Sequence, residues 1–264
     1  MRKYWAITRA SLQETVAYRG PMLIWLVGNI LQSVVMVCVW QATKADNLIG
    51  GYTKAELVNY YIASLFLSWL VLWYPFDYLF KEIRDGQIVL STLIKPISCF
   101  ISTFGREVGW HIISSVVGLI TSLILFYSFS SNTFWKVPVV NLLFLIPALL
   151  IAILVTFSFT LNMSLLAFWF IDVGAIGSFF WIGRSVLGGA TIPISFLPFW
   201  IKDLAVFLPF RYMFSFPLEI FFNKLTMVEI FQGLLIGIIW VVSLYYIYRY
   251  LWDKGRRVYS AFGQ

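Results

Sequence analysis

Long apolar stretches separated by short polar ones set the pattern of this chain. A helix needs roughly 20 apolar residues to cross a bilayer core, and the stretches about 22–40, 58–79, 108–128, 141–168, 174–192 and 228–250 meet that length or come close to it. The pattern predicts an all-α integral membrane protein with six transmembrane helices in a single domain over 21–252. A segment over 1–20 precedes that domain and a tail over 253–264 follows it.

Between the apolar stretches the polar positions carry their own periodicity. Over residues 2–18, a turn of 100° per residue gathers Met1, Tyr4, Trp5, Thr8, Leu12 and Val16 on one face and leaves Arg2, Lys3, Arg9 and Gln13 elsewhere, which predicts an amphipathic helix on the membrane surface. Gly20-Pro21 is expected to end that helix and turn the chain into the first span. The loop over 80–106 is the main polar interruption of the first half. Lys81, Glu82, Arg84 and Asp85 form a mixed-charge turn, Gly86 permits a change of direction, and Ile88–Ile94 is a short apolar piece closed by Lys95-Pro96. Two short helical turns separated by glycine are expected there, lying along the membrane face.

Residues 193–222 hold four prolines, Pro193, Pro198, Pro209 and Pro217, in a segment too apolar for a solvated loop. Re-entrant or interfacial helices fit it, with Phe199, Trp200, Phe207, Phe210, Tyr212 and Phe214 as an interfacial aromatic belt. The fifth stretch differs from the others in its small residues. Gly177, Gly183 and Gly188 allow close helix approach, so it is read as a subunit interface or pathway lining. Arg184 lies near its middle, where an unpaired arginine costs about 2.5–3.5 kcal/mol on insertion scales, and it should face protein or water.

Composition agrees with the pattern: 61% of the 264 residues are hydrophobic and 12% charged, against about a quarter charged in soluble domains, and mean hydropathy is +0.85. The net charge of +7 matters through its distribution. With six crossings, Arg2, Lys3, Arg9, Arg19, Lys81, Arg84, Lys95, Arg106, Arg249, Lys254, Arg256 and Arg257 share one side. The other side carries Lys44, Lys54, Lys136, Lys202, Arg211 and Lys224. The excess places both termini and the 80–106 loop in the cytoplasm, and the first apolar run is read as a retained span rather than a cleaved signal.

Chemistry is sparse. The chain has no G-x-x-x-x-G-K-[ST] sequence, so any ATP is expected to be hydrolysed by another polypeptide. The single histidine, His111, and the two cysteines, Cys38 and Cys99, suggest no metal site, no disulfide and no enzyme. No soluble basic domain offers a place for nucleic acid.

The surface helix, six spans, charged loop and re-entrant segment together resemble the permease subunits of ABC-2 type exporters. Ala17-Tyr18-Arg19-Gly20, Glu82-Ile83-Arg84-Asp85-Gly86, Leu93-Ile94-Lys95-Pro96 and Arg256-Arg257-Val258-Tyr259-Ser260-Ala261-Phe262-Gly263 are similar to a bacterial subfamily with paired permeases and a separate ATPase. The resemblance implies half of a heteromeric transporter in the bacterial inner (plasma) membrane. Its partners would be two ABC ATPase subunits that bind ATP and Mg, a second permease, homologous or identical, and membrane lipid. The substrate would be amphipathic or hydrophobic: a drug, peptide, lipid or glycolipid. Carried onto this chain, the resemblance makes Lys81, Glu82, Arg84, Asp85, Gly86, Lys95 and Pro96 the ATPase-coupling element. Tyr4, Trp5, Arg9 and Leu12 belong to a surface helix that also contacts the ATPase, and spans two and five line the path. A stand-alone secondary carrier or a membrane scaffold is the competing reading, weakened by the lack of a matching broken helix and buried charge in spans one to three.

Overall fold

The computed structural model describes residues 2–17, 19–43, 48–72, 74–94, 96–129, 138–172 and 174–259; for 2–4, 19, 21–23, 25 and 26 only the backbone is described. The elements in chain order are α1 (Arg2–Ala17), α2 (Arg19–Ala42), α3 (Lys54–Val71), α4 (Phe76–Arg84), a π-helical turn (Val89–Leu93), α5 (Cys99–Phe129), α6 (Val139–Leu165) with a 3-10 turn (Leu166–Phe168), α7 (Gly174–Ile182) with a second π turn (Gly183–Leu187), a 3-10 turn (Ile194–Phe196), α8 (Phe199–Phe207), α9 (Pro209–Met213), α10 (Ser215–Phe221) and α11 (Met227–Val258). Among the described residues there is no strand, only an isolated pairing of Ile49 with Tyr52.

Among the described residues, four segments are long and apolar enough to cross a membrane: 54–84, 99–129, 139–168 and 227–258. Two of them begin with a capping box, Thr53 with Glu56 and Thr226 with Glu229, in which the threonine side chain accepts from the third backbone N–H and the glutamate returns to the cap. A salt bridge from Lys224 to Glu56 at 2.7 Å ties these two helix starts together at one end of the bundle. Phe168 packs against Tyr259 and Trp252 at the other end.

The core is rich in aromatic side chains, and α6 carries a row of buried hydroxyl groups through it. Thr156, Thr160 and Ser164 are buried and donate back to the carbonyls of Ala152, Thr156 and Thr160 at 2.7, 2.8 and 2.9 Å. Their hydroxyls are thereby satisfied inside their own helix, as a dry interior requires. Asn162 instead donates across to the Leu244 carbonyl at 3.0 Å, and Gly237 lets α11 approach Ile151 of α6. At the opposite end Asn141 donates to the Ile220 carbonyl, 3.1 Å away.

The elements depart from the predicted boundaries in five places. Span 58–79 is not continuous: α3 stops at Val71, and α4 starts after Pro75. Span 174–192 is nine α-helical residues and one π turn, stopped at Gly189, whose φ of +81° only glycine adopts freely. The loop over 80–106 loses its last third to α5, which begins at Cys99, and the tail loses 253–258 to α11. Gly20-Pro21 lies within the first turn of α2, where proline lacks only an N–H that had no partner. In 193–222 three short helices form, but Phe210, Tyr212 and Phe214 are core residues, leaving Phe199, Trp200 and Phe207 exposed.

Candidate functional site

The two ends of the described chain meet at the charged loop. α4 is amphipathic: Phe76, Leu79, Phe80 and Ile83, spaced i, i+3, i+4 and i+7, are buried, while Asp77, Lys81 and Arg84 are exposed. Gly86 turns the chain with φ +79°, and the π turn brings Ile88 back into the same apolar cluster as Leu79, Ile83, Leu161 and Tyr248. The expected pair of short helical turns around a glycine is thus present, one turn further into the second apolar stretch than the hydropathy pattern places it.

Glu82 and Arg106 hold this handle from behind. Arg106 of α5 donates to Glu82 at 2.7 Å, and Ser91 of the π turn donates to the other carboxylate oxygen of Glu82 at 3.3 Å. The Arg106 guanidinium lies over the Tyr78 ring, 4.3 Å from its centre, and the Arg106 carbonyl accepts from Ser11 of α1 at 2.5 Å. From the far side Tyr259 donates to the Ile83 carbonyl at 2.9 Å. Burial raises the Tyr259 phenol above its ordinary value, so it stays a donor at neutral pH.

The residues named from sequence therefore separate into two groups. Lys81, Arg84 and Asp85 are exposed, with Arg84 and Asp85 paired at 3.0 Å on the surface. Glu82 is turned inward as a brace. Pro96 is exposed, and Lys95 lies outside the described residues. Two apolar side chains join the outer face, Leu90 at 68% and Ile94 at 65% exposed.

In α1, Trp5 and Arg9 are exposed and Leu12 half-buried, while the side chain of Tyr4 lies outside the described residues. The face against α5 is Thr8, Ser11 and Thr15, rotated by about 50° from the centre of the predicted stripe, with Thr8 common to both. Gly109 explains the rotation: it lets Ser11 and Leu12 settle directly on the α5 backbone. Trp5 and Val16 stay outward.

Gly177, Gly183 and Gly188 are all buried within this chain. They face Phe76, the Phe210 ring, and the carbonyls of Arg184 and Phe210 respectively, so their small size serves internal packing. Arg184 is 7% exposed, with its guanidinium 5.0 Å from the Phe214 ring and 3.5 Å from the Ser68 hydroxyl. His111 is buried, its Nδ1 3.0 Å from the Trp69 carbonyl and its Nε2 3.5 Å from Glu107. Among the described residues no group of three or more His, Cys, Asp or Glu side chains is placed to hold a metal ion.

Sequence reasoning missed three members of this site: Tyr78, Arg106 as a brace, and Tyr259. The heptad-like spacing behind Pro75 was the available signal for α4 and so for Tyr78. Nothing local signals the other two, whose partners lie 24 and 176 residues away.

Compared with curated proteins, the sequence matches none. A family model described as ABC-2 family transporter protein matches residues 23–263, nearly the whole chain and every element from α2 to α11. The chain therefore belongs to the ABC-2 transporter family and is a multi-pass membrane protein, the permease component of an ABC transporter.

Proposed function

We propose that this permease exports an amphipathic or hydrophobic substrate and takes its driving force from a separate ATPase docked on the α4–Gly86–π-turn handle, on the cytoplasmic side. Permeases of this family work with a separate ATPase subunit, and force from such a subunit can reach the spans only through a stiff contact attached to them. The observation that carries the reading is the division of the handle into two faces. Outward, Lys81, Arg84, Asp85, Leu90 and Ile94 offer mixed charge around apolar side chains, the composition of an interface that engages and releases. Inward, Glu82, Ile83 and Ile88 lock the handle to α5, α6 and α11. A push on one face is delivered to three helices.

In this reading six segments traverse the membrane, α7 with its π turn being the fifth, and a second permease, identical or homologous, completes the pathway with two ATPase copies. The positive-inside excess supports a cytoplasmic handle and cytoplasmic termini. The test is charge reversal on the outer face alone. Lys81→Glu with Arg84→Glu should leave membrane insertion and thermal stability intact, abolish co-purification of the ATPase, and eliminate substrate-stimulated ATP hydrolysis. Wild-type export by that double variant would overturn the docking assignment.

A further inference from the structure

Behind the handle lies a cavity of about 510 Å³, lined by residues of α1, α2, α3, α4, α5 and α7. We infer that it is a binding site for lipophilic organic cations, a protonated or quaternary amine on an apolar body.

Its walls carry two kinds of group. Trp69, Trp110, Trp181, Tyr74 and Tyr78 supply aromatic surface, and Glu14, Asp77 and Glu107 supply carboxylates. Against these stands one lining guanidinium, Arg106, which is paired with Glu82 and also interacts with Glu14, while Lys81, outside the lining, interacts with Asp77. Arg184 stands behind the wall formed by Ser68 and Trp181. His111 adjoins Glu107 at 3.5 Å. The lining thus has an excess of negative charge set among π faces, the combination that attracts a large, weakly hydrated cation.

Size and spacing narrow the ligand. A volume of about 510 Å³ falls in the range of roughly 300–1,000 Å³ typical of sites for drug-sized molecules. The carboxylates come from three different helices, and among the described residues none forms a metal-ligating group with the others. An ion of one atom cannot span them, whereas an organic cation can. Glu107 is the deepest of the three, 7% exposed, and accepts from the Tyr74 backbone N–H at 3.3 Å.

The cavity is also wired to the handle. Tyr78 and Arg106 line it, and the same Arg106 holds Glu82. A ligand that displaces Tyr78 or Arg106 therefore acts on the brace of the proposed docking face. As a substrate site this rests on the export reading above, but binding is measurable without any ATPase, so the two can fail separately.

The experiment is equilibrium binding of radiolabelled tetraphenylphosphonium to the full chain in dodecyl maltoside. Saturable binding is expected, with no competition from tetraphenylborate, which has the same shape and the opposite charge. Glu107→Gln should weaken binding by about tenfold or more. Should that variant fail to fold, the rim pair Glu14→Gln with Asp77→Asn, both exposed, should weaken binding several-fold at unchanged thermal stability. Competition by added phosphatidylcholine would assign the cation to a lipid headgroup, and its absence would assign it to a free amphipathic molecule; either supports the site. Lack of saturable binding, equal competition by tetraphenylborate, or wild-type affinity in both variants would overturn it. Normal ATPase coupling without tetraphenylphosphonium binding would remove this site and leave the docking assignment standing.

Discussion

Gly86 sits where the handle reverses, with a φ of +79°. A β-carbon there would have ordinary room, its nearest neighbour being the Tyr259 hydroxyl at 3.8 Å. Substitution therefore acts through backbone conformation: Gly86→Ala should cost about 1–2 kcal/mol and lower the apparent melting temperature followed by tryptophan fluorescence, with Gly86→Asn milder because asparagine tolerates this region. Arg184 poses the opposite case. Its guanidinium has aromatic rings and one hydroxyl near it, and a buried charge replaced by a well-fitting apolar side chain is often neutral or stabilising. Arg184→Met should therefore keep or raise the apparent melting temperature, and Arg184→Glu should lower it. A melting point lowered by Arg184→Met would show that the guanidinium itself holds the π turn in place. Residue identity was legible for Lys81, Arg84 and Asp85, whose exposure follows from the α4 stripe. It was not legible for Glu82, because the sign and reach of Arg106, a full helix away in sequence, decide that this one carboxylate turns inward.

At the scale of elements, the hydropathy of 58–79 hides two helices of different kinds. A window average does not distinguish a buried span from the apolar stripe of a short amphipathic helix, so α3 and α4 merged in the sequence reading although Pro75 lies between them. The fifth stretch shows a different limit: its small residues fit a subunit interface, a pathway lining or internal packing equally well by composition, and within this chain Gly183 and Gly188 are covered by Phe210 from the proline-rich segment. Long-range packing chose the partner, and composition alone does not name it. α1 shows the same limit, since its buried face was fixed by Gly109 on another helix. For the handle, the element-scale prediction concerns stiffness. Tyr259→Phe removes one hydrogen bond, about 0.5–1.5 kcal/mol, and should speed amide exchange in 83–91 while leaving exchange in α6 unchanged. Uniform acceleration across both would indicate that Tyr259 supports the whole bundle rather than the handle.

For the whole molecule, α6 and α11 form the axis on which the rest is arranged, joined by Asn162 to the Leu244 carbonyl and by the fit of Gly237 on Ile151 and of Gly255 on Phe168. Gly255→Val would drive a side chain into the Phe168 ring at the base of the handle. Overpacking of this kind costs about 1–3 kcal/mol, and the expected outcome is a lower yield of folded protein in detergent together with weaker ATPase association. Retained association at normal yield would mean that the Phe168 ring moves aside freely. The all-helical class and the long spans were readable in the sequence because apolar length is a direct consequence of bilayer thickness. How α1, α3, α4, α5 and α7 bring acidic and aromatic residues together around one cavity was not, because those residues come from five separate stretches.

The bond from Tyr259 to Ile83 also has a bearing on biogenesis. Residues 81–94 leave the ribosome some 165 positions before their clasp does. Through most of synthesis the handle exists without its far-side support, held only by what α4, α5 and α6 provide. It becomes complete when α11 has entered the membrane and its last turn has reached Phe168. An ATPase that recognises the rigid form thus distinguishes finished permease from nascent chain, and a variant truncated after Trp252 should insert and yet recruit none. Recovery of ATPase with that truncated chain in a pull-down would show that docking needs no such completion.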